Sequence, residues 1–146
     1  GGLGDAGASP ARLSAAPDSP AAGMADRASV AAGTADEKEV AKMIEGWARA
    51  WSRKDAKAYF AHYATDFRPP RGMTRKTWEE GRLRPMRKPG RLLVEVDDIR
   101  VAFADGKATV RFRQTFTSPA LTSTVGKTLV LVRSGGRWLI QEERVG

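Results

Sequence analysis

The hydrophobic period changes at Gly90, and that switch limits the fold more than any other feature of the chain. Upstream, Val40, Met43, Ile44, Trp47 and Trp51 recur at the spacing that lines one face of a helix. Downstream, Leu92, Val94 and Val96 share one parity and Ile99, Val101 and Phe103 the other, so the pattern alternates as a half-buried strand does. A β-bulge at Asp97-Asp98 would bring both sets onto one face. A helical half followed by an alternating half predicts the α+β class, with helices packed on one side of a curved antiparallel sheet.

The punctuation marks three helices and about four strands. Asp36 with Glu39 fits a capping box, which predicts helix 1 over 37–53 with Lys38, Lys42, Glu45 and Arg49 on its wet side. Asp55 can cap a second helix carrying Ala56, Tyr59, Phe60 and Tyr63, ended by the run Asp66-Phe67-Arg68-Pro69-Pro70. Thr74 opens a third helix that contains Trp78 and that Pro85 closes. Asp105-Gly106 is a hairpin signal, followed by alternation from Ala108 to Thr117. A further strand is expected over 124–133, and Ser134-Gly135-Gly136 turns into a last strand with Trp138 and Ile140 on one parity. Helices on one face of such a sheet make a cone with an opening between the layers.

Residues 1–35 are nearly all Ala, Gly, Ser, Pro, Asp and Thr, without an aromatic residue, and read as a disordered leader or linker. The domain is expected over 36–146. The leader's three Asp and two Arg give it −1, so the chain's +8 leaves +9 on the domain. There is no cysteine, which excludes disulfides, thiolate metal sites and a thiol nucleophile. No apolar run is long enough to cross a bilayer, and no signal-peptide pattern stands at the N-terminus. The chain begins Gly1-Gly2 without an initiator Met, so it reads as a piece or processed product of something longer.

Several ordered residues resemble a known family. Trp47-x-x-x-Trp51-x-x-x-Asp55-x-x-x-Tyr59-x-x-x-Tyr63-x-x-Asp66-Phe67 resembles the opening of nuclear transport factor 2-like (SnoaL-like) domains. Pro70-x-Gly72, Trp78, Arg82, Phe112-x-Gln114-x-Phe116-x-Ser118, Lys127-x-Leu129-x-Leu131 and Gly136-x-Trp138-x-Ile140-x-Glu142 continue it. Together they resemble the bacterial subgroup appended to L,D-transpeptidases and tetratricopeptide-repeat proteins of the cell envelope. The resemblance covers about 36–144. It implies the cone-shaped fold and an auxiliary role in the periplasm or cell envelope; separately, no cofactor is expected.

Parity predicts which polar groups face the helices. Gln114 shares its side with Val110, Phe112 and Phe116, Glu142 with Trp138 and Ile140, and Lys127 with Leu129 and Leu131. Buried polar groups need partners, so these three either pair, as Lys127 with Glu142 and Gln114 with a helix tyrosine, or line a wet pocket. Tyr63 and Trp78 stand near segment ends, where a pocket would open, and Asp66 is the one acid beside Tyr63. His62, the only histidine, falls off the apolar stripe and is expected to be solvated, with no metal site around it.

Arg68, Arg71, Arg75, Lys76, Arg82, Arg84, Arg87, Lys88 and Arg91 face only Glu79 and Glu80 within their segment, a basic patch able to attract nucleic acid or an anionic surface. The leading functional reading is a non-catalytic module binding a partner protein or envelope component. The alternatives are a SnoaL-like isomerase, cyclase or dehydratase using the cone, and an electrostatic binder working through 68–91. A homodimer could form through Thr109, Thr115, Thr117, Val130 and Val132 on the outer sheet face.

Overall fold

The computed structural model describes residues 23–146, with side chains from Ala35 onward. Helix α1 spans Gly23–Ser52, so its backbone begins well before the expected start at Asp36. Ala25, Ala28, Ala31, Ala32 and Ala35 carry the helix through that stretch, because alanine orders into a helix at the least entropic cost. The expected disordered leader lies, over 1–22, outside the described residues. By its internal contacts the chain divides between Ala35 and Asp36.

Asp36 is therefore not a helix cap. It and Glu39 approach Arg133, at 3.7 and 2.9 Å, and tie the helix to the sheet. The stripe Val40, Ile44, Trp47, Ala48 and Trp51 is buried. The helix ends in a Schellman motif. The Lys54 N–H donates to the Trp51 carbonyl and the Asp55 N–H to the Ala50 carbonyl, with Lys54 in the left-handed region at φ 59°.

Helix α2 is only Ala56–Phe60, capped as expected by the Asp55 carboxylate, which accepts from the Ala58 N–H at 3.1 Å. The segment read as its continuation is instead strand β1, Tyr63–Arg68. Helix α3, Arg75–Arg87, starts at the expected Thr74 cap. Pro85 does not close it but sits in its last turn, and the chain becomes extended only at Lys88.

Strands β2 (Leu93–Ala104), β3 (Lys107–Ser118), β4 (Leu121–Ser134) and β5 (Arg137–Val145) form an antiparallel meander. β1 adds to it in parallel beside β5, giving the order β1-β5-β4-β3-β2. The sheet is thus mixed and five-stranded rather than antiparallel and four-stranded. The β2 register shifts between Asp97 and Arg100 at a bulge where Asp98 adopts φ 56°, as the parity change required. Asp105 and Gly106 both take positive φ, the two-residue turn whose twist matches the flanking strands.

Ser52 Oγ donates to the Ala48 carbonyl and accepts from the Val94 N–H at 2.8 Å, fastening the end of α1 to β2. Trp47, Trp51, Tyr59, Tyr63, Phe67 and Trp78 form one aromatic layer with neighbouring ring centroids 4.5 to 6.2 Å apart.

Candidate functional site

Between the helices and the sheet lies a charged cluster centred on Glu143, whose side chain is 3% exposed. A second bulge puts it there. β4 and β5 pair Leu131 with Ile140 but Val130 with Glu142, so Gln141 is an extra residue on β5. Parity reverses across it, and Glu143 rather than Glu142 joins Trp138 and Ile140 on the inner face.

Glu143 Oε1 accepts from Tyr63 Oη at 2.7 Å, and Oε2 accepts from Lys127 Nζ at 2.7 Å and from Arg82 Nη2 at 2.8 Å. Arg82 Nη1 also donates to Tyr59 Oη at 2.7 Å. Tyr63 spends its one proton on Glu143, so its oxygen accepts from Trp47 Nε1 at 3.0 Å and from Tyr59 Oη at 2.8 Å. The donors therefore run in one direction, from Arg82 through Tyr59 and Tyr63 to the carboxylate. Aromatic faces flank both cations: Arg82 lies 5.2 Å from the Trp51 ring centroid and 5.3 Å from that of Trp78, and Lys127 lies 5.4 Å from Trp51 and 5.6 Å from Trp47.

The electrostatics follow from burial and pairing. Burial alone would raise the Glu143 carboxyl, but Arg82 and Lys127 outweigh it and hold the group at about 2. Burial pushes both tyrosine hydroxyls well above their ordinary value of 10.0, so they stay protonated. Burial draws the Lys127 ammonium down, against the opposite pull of Glu143. The result is an ionised acid with two cations and two neutral phenols, each bonded to another member of the set.

The expected site residues divide. Tyr63 and Lys127 belong to the cluster, but Tyr63 is buried rather than at a mouth. Lys127 pairs with Glu143, not Glu142. Glu142 is half-buried on the other side of β5, with Arg68 at 2.8 Å and Arg144 at 3.6 Å. Gln114 is inward as expected and 6% exposed, but it meets no tyrosine and its Oε1 has no hydrogen-bond partner. Asp66 accepts from Gln141 Nε2 at 3.0 Å. Trp78 is packed among Phe60, Tyr63 and Phe67. His62 is half-buried rather than solvated. Its Nδ1 lies 2.8 Å from the Ala58 carbonyl, and burial lowers its pKa.

The basic segment 68–91 is no uniform patch. Arg68 pairs with Glu142 and Arg75 with Glu79, while Arg82 turns inward to Glu143. Arg71, Lys76, Arg84, Arg87, Lys88 and Arg91 are exposed. Sequence reasoning missed Glu143 and placed Arg82 only in the basic patch, not in the interior. The signal for Arg82 was its spacing, since Trp78, Arg82 and Met86 fall on one face of α3.

Three helices against a mixed, strongly paired sheet with polar groups held between the layers define the nuclear transport factor 2-like class. The model of the Cds6 C-terminal NTF2-like domain matches residues 39–144, and the chain belongs to that family. No curated protein is significantly similar to it in sequence.

Among solved structures, Bd1075 of Bdellovibrio bacteriovorus superposes with a TM-score of 0.67 at 21% identity, over 75% of this chain and 40% of that one. The helical cell shape determining protein Pgp2 of Campylobacter jejuni, in its K307A form, gives 0.61 at 15% identity, over 70% and 38%. An NTF2-like family protein of Streptomyces avermitilis, described as a candidate dehydratase, gives 0.66 at 15% identity, over 77% and 96%. These likenesses establish the fold, and the chain spans less than half the length of the first two proteins.

Proposed function

We propose that this domain is a non-catalytic binding module of a larger bacterial cell-envelope protein, acting on a partner protein or envelope component. The observation that carries the reading is the engagement of Glu143, whose two buried oxygens already accept from Tyr63, Arg82 and Lys127. A general acid or base works best with a pKa near the operating pH, whereas this carboxylate is held at about 2 by Arg82 and Lys127. The other two acids of the region are also engaged, Asp66 by Gln141 and Glu142 by Arg68. The envelope setting draws on Pgp2, a cell-shape protein in which a domain of this fold is one part of a longer chain.

The competing reading is a small-molecule dehydratase or isomerase. It draws on the Streptomyces avermitilis protein, nearly all of which this chain spans, and on the unpartnered Gln114 Oε1 between the layers. An NMR titration of the Glu143 side-chain carboxyl separates the two. The module reading expects a midpoint near 2. A midpoint between about 5 and 7, the range useful to an acid or base at neutral pH, would overturn it.

A further inference from the structure

Away from the Glu143 cluster, a cleft of about 580 Å³ opens between the end of α3, the loop into β2 and the turn from β3 to β4. Its floor is apolar: Leu92 from the loop into β2, Phe116 from the sheet, Pro85 from the helix, Pro119 from the turn and Leu121, which is 56% exposed. Its rim carries Lys54, Arg84, Lys88 and Arg91, and no acidic residue lines it. Among the described residues, Arg84, Lys88 and Arg91 have no ion-pair partner, in contrast to Arg68, Arg75 and Arg82 of the same segment.

The corner is built rather than incidental. Lys54, in its left-handed conformation, donates from Nζ to the carbonyls of Lys88 at 2.5 Å and Gly90 at 2.7 Å. An ammonium has three donors, so one is left at the cleft wall. Gly90, at φ 97°, lies so close to Pro119 that a Cβ there would meet the proline Cγ at 2.5 Å. The α3–β2 loop is thus pinned on one side by a lysine and pressed on the other against the β3–β4 turn.

We propose that this cleft binds an anionic amphiphile, a single apolar chain ending in an acid group. The chain would cover Leu92, Phe116 and Leu121, and the acid would meet the guanidinium groups of Arg84 and Arg91, whose planar forks suit a carboxylate or phosphate. An apolar floor of this size falls within the range of small-molecule sites. The rim supplies a charge that the fold leaves unneutralised there. The inference is independent of what the Glu143 cluster does.

The test is NMR titration of the whole chain with decanoate and, separately, decyl phosphate, both below micelle formation. Saturable shifts confined to residues 84–92 and 116–121 are expected with at least one, and their relative affinity identifies the acid group. Acetate and decyltrimethylammonium should each bind at least about tenfold more weakly, since each lacks one half of the recognition. The double variant Arg84→Glu/Arg91→Glu and the single variant Leu121→Asp change exposed side chains. Each should lower affinity about tenfold or more while the rest of the spectrum is unchanged. The proposal is overturned if neither acid shifts these residues, if the cationic amphiphile binds as well as the anionic ones, or if both variants bind like the parent.

Discussion

Glu142 and Glu143 are neighbours on β5, yet the two sides of that strand treat the same side chain in opposite ways. Outside, Glu142 meets Arg68 and Arg144 at the surface, where water and salt screen the attraction. Inside, Glu143 is removed from water and survives as an anion because two cations and a phenol replace its hydration. An ion pair's worth here is therefore set by what its members lose when separated. On the outside a stranded partner returns to solvent, while on the inside it is left buried and unpaired.

The largest break in that contrast is Glu143→Gln, which leaves Arg82 and Lys127 together without their anion. Urea denaturation should show a loss of about 3–5 kcal/mol, the range for breaking a buried pair by removing one member. A loss below about 1 kcal/mol would show that the cluster is open to water.

Acid titration probes the same group without mutation. Its carboxyl falls from an ordinary 4.5 when unfolded to about 2 when folded, so its contribution is fully present above about 4.5 and is lost as pH drops toward 2. Two and a half units correspond to roughly 3 kcal/mol. Stability measured from pH 6 to pH 2 should fall by that order in the parent, and should fall less in Glu143→Gln.

Tyr63→Phe removes the donor to Glu143 and the acceptor used by Trp47 and Tyr59, while keeping the ring. A cost of about 1–3 kcal/mol is expected, the desolvation left to groups that lose a partner. Glu142→Gln closes the series with a change of at most about 1 kcal/mol, diminishing further in high salt. An effect as large as that of the neighbouring substitution would erase the difference between the two sides of β5.

Local chemistry made most of the frame legible. Asp55 and Thr74 cap helices because their short oxygens reach nearby N–H groups. Asp105-Gly106 can adopt the positive φ that a tight hairpin demands. The Asp98 bulge could be found because six apolar residues had to reach one face. β1 could not be read this way, since Tyr59, Phe60 and Tyr63 keep helical spacing across the turn at His62, and the strand is too short to show its own alternation. At the site, parity placed Gln114 and Lys127 correctly, but it failed at Gln141-Glu142-Glu143. Three consecutive polar residues give no apolar marker of where an extra residue enters the strand. Arg82 was concealed by its neighbours, because in a segment this rich in arginine nothing in residue type separates the one that turns inward.

The extra residue at Gln141 bears on how this family should be compared. It acts as a phase shifter, so that positions before and after it on β5 count inward on different beats. A relative lacking the bulge would carry its interior acid one place earlier, and an ungapped alignment would set that acid against Glu142, a surface residue here. Deleting Gln141 from this chain makes the same point physically. With the extra residue gone, Ile140, Glu142 and Glu143 become consecutive opposite Leu131, Val130 and Leu129, so the acid keeps its place between Arg82 and Lys127 while its number along the strand falls by one.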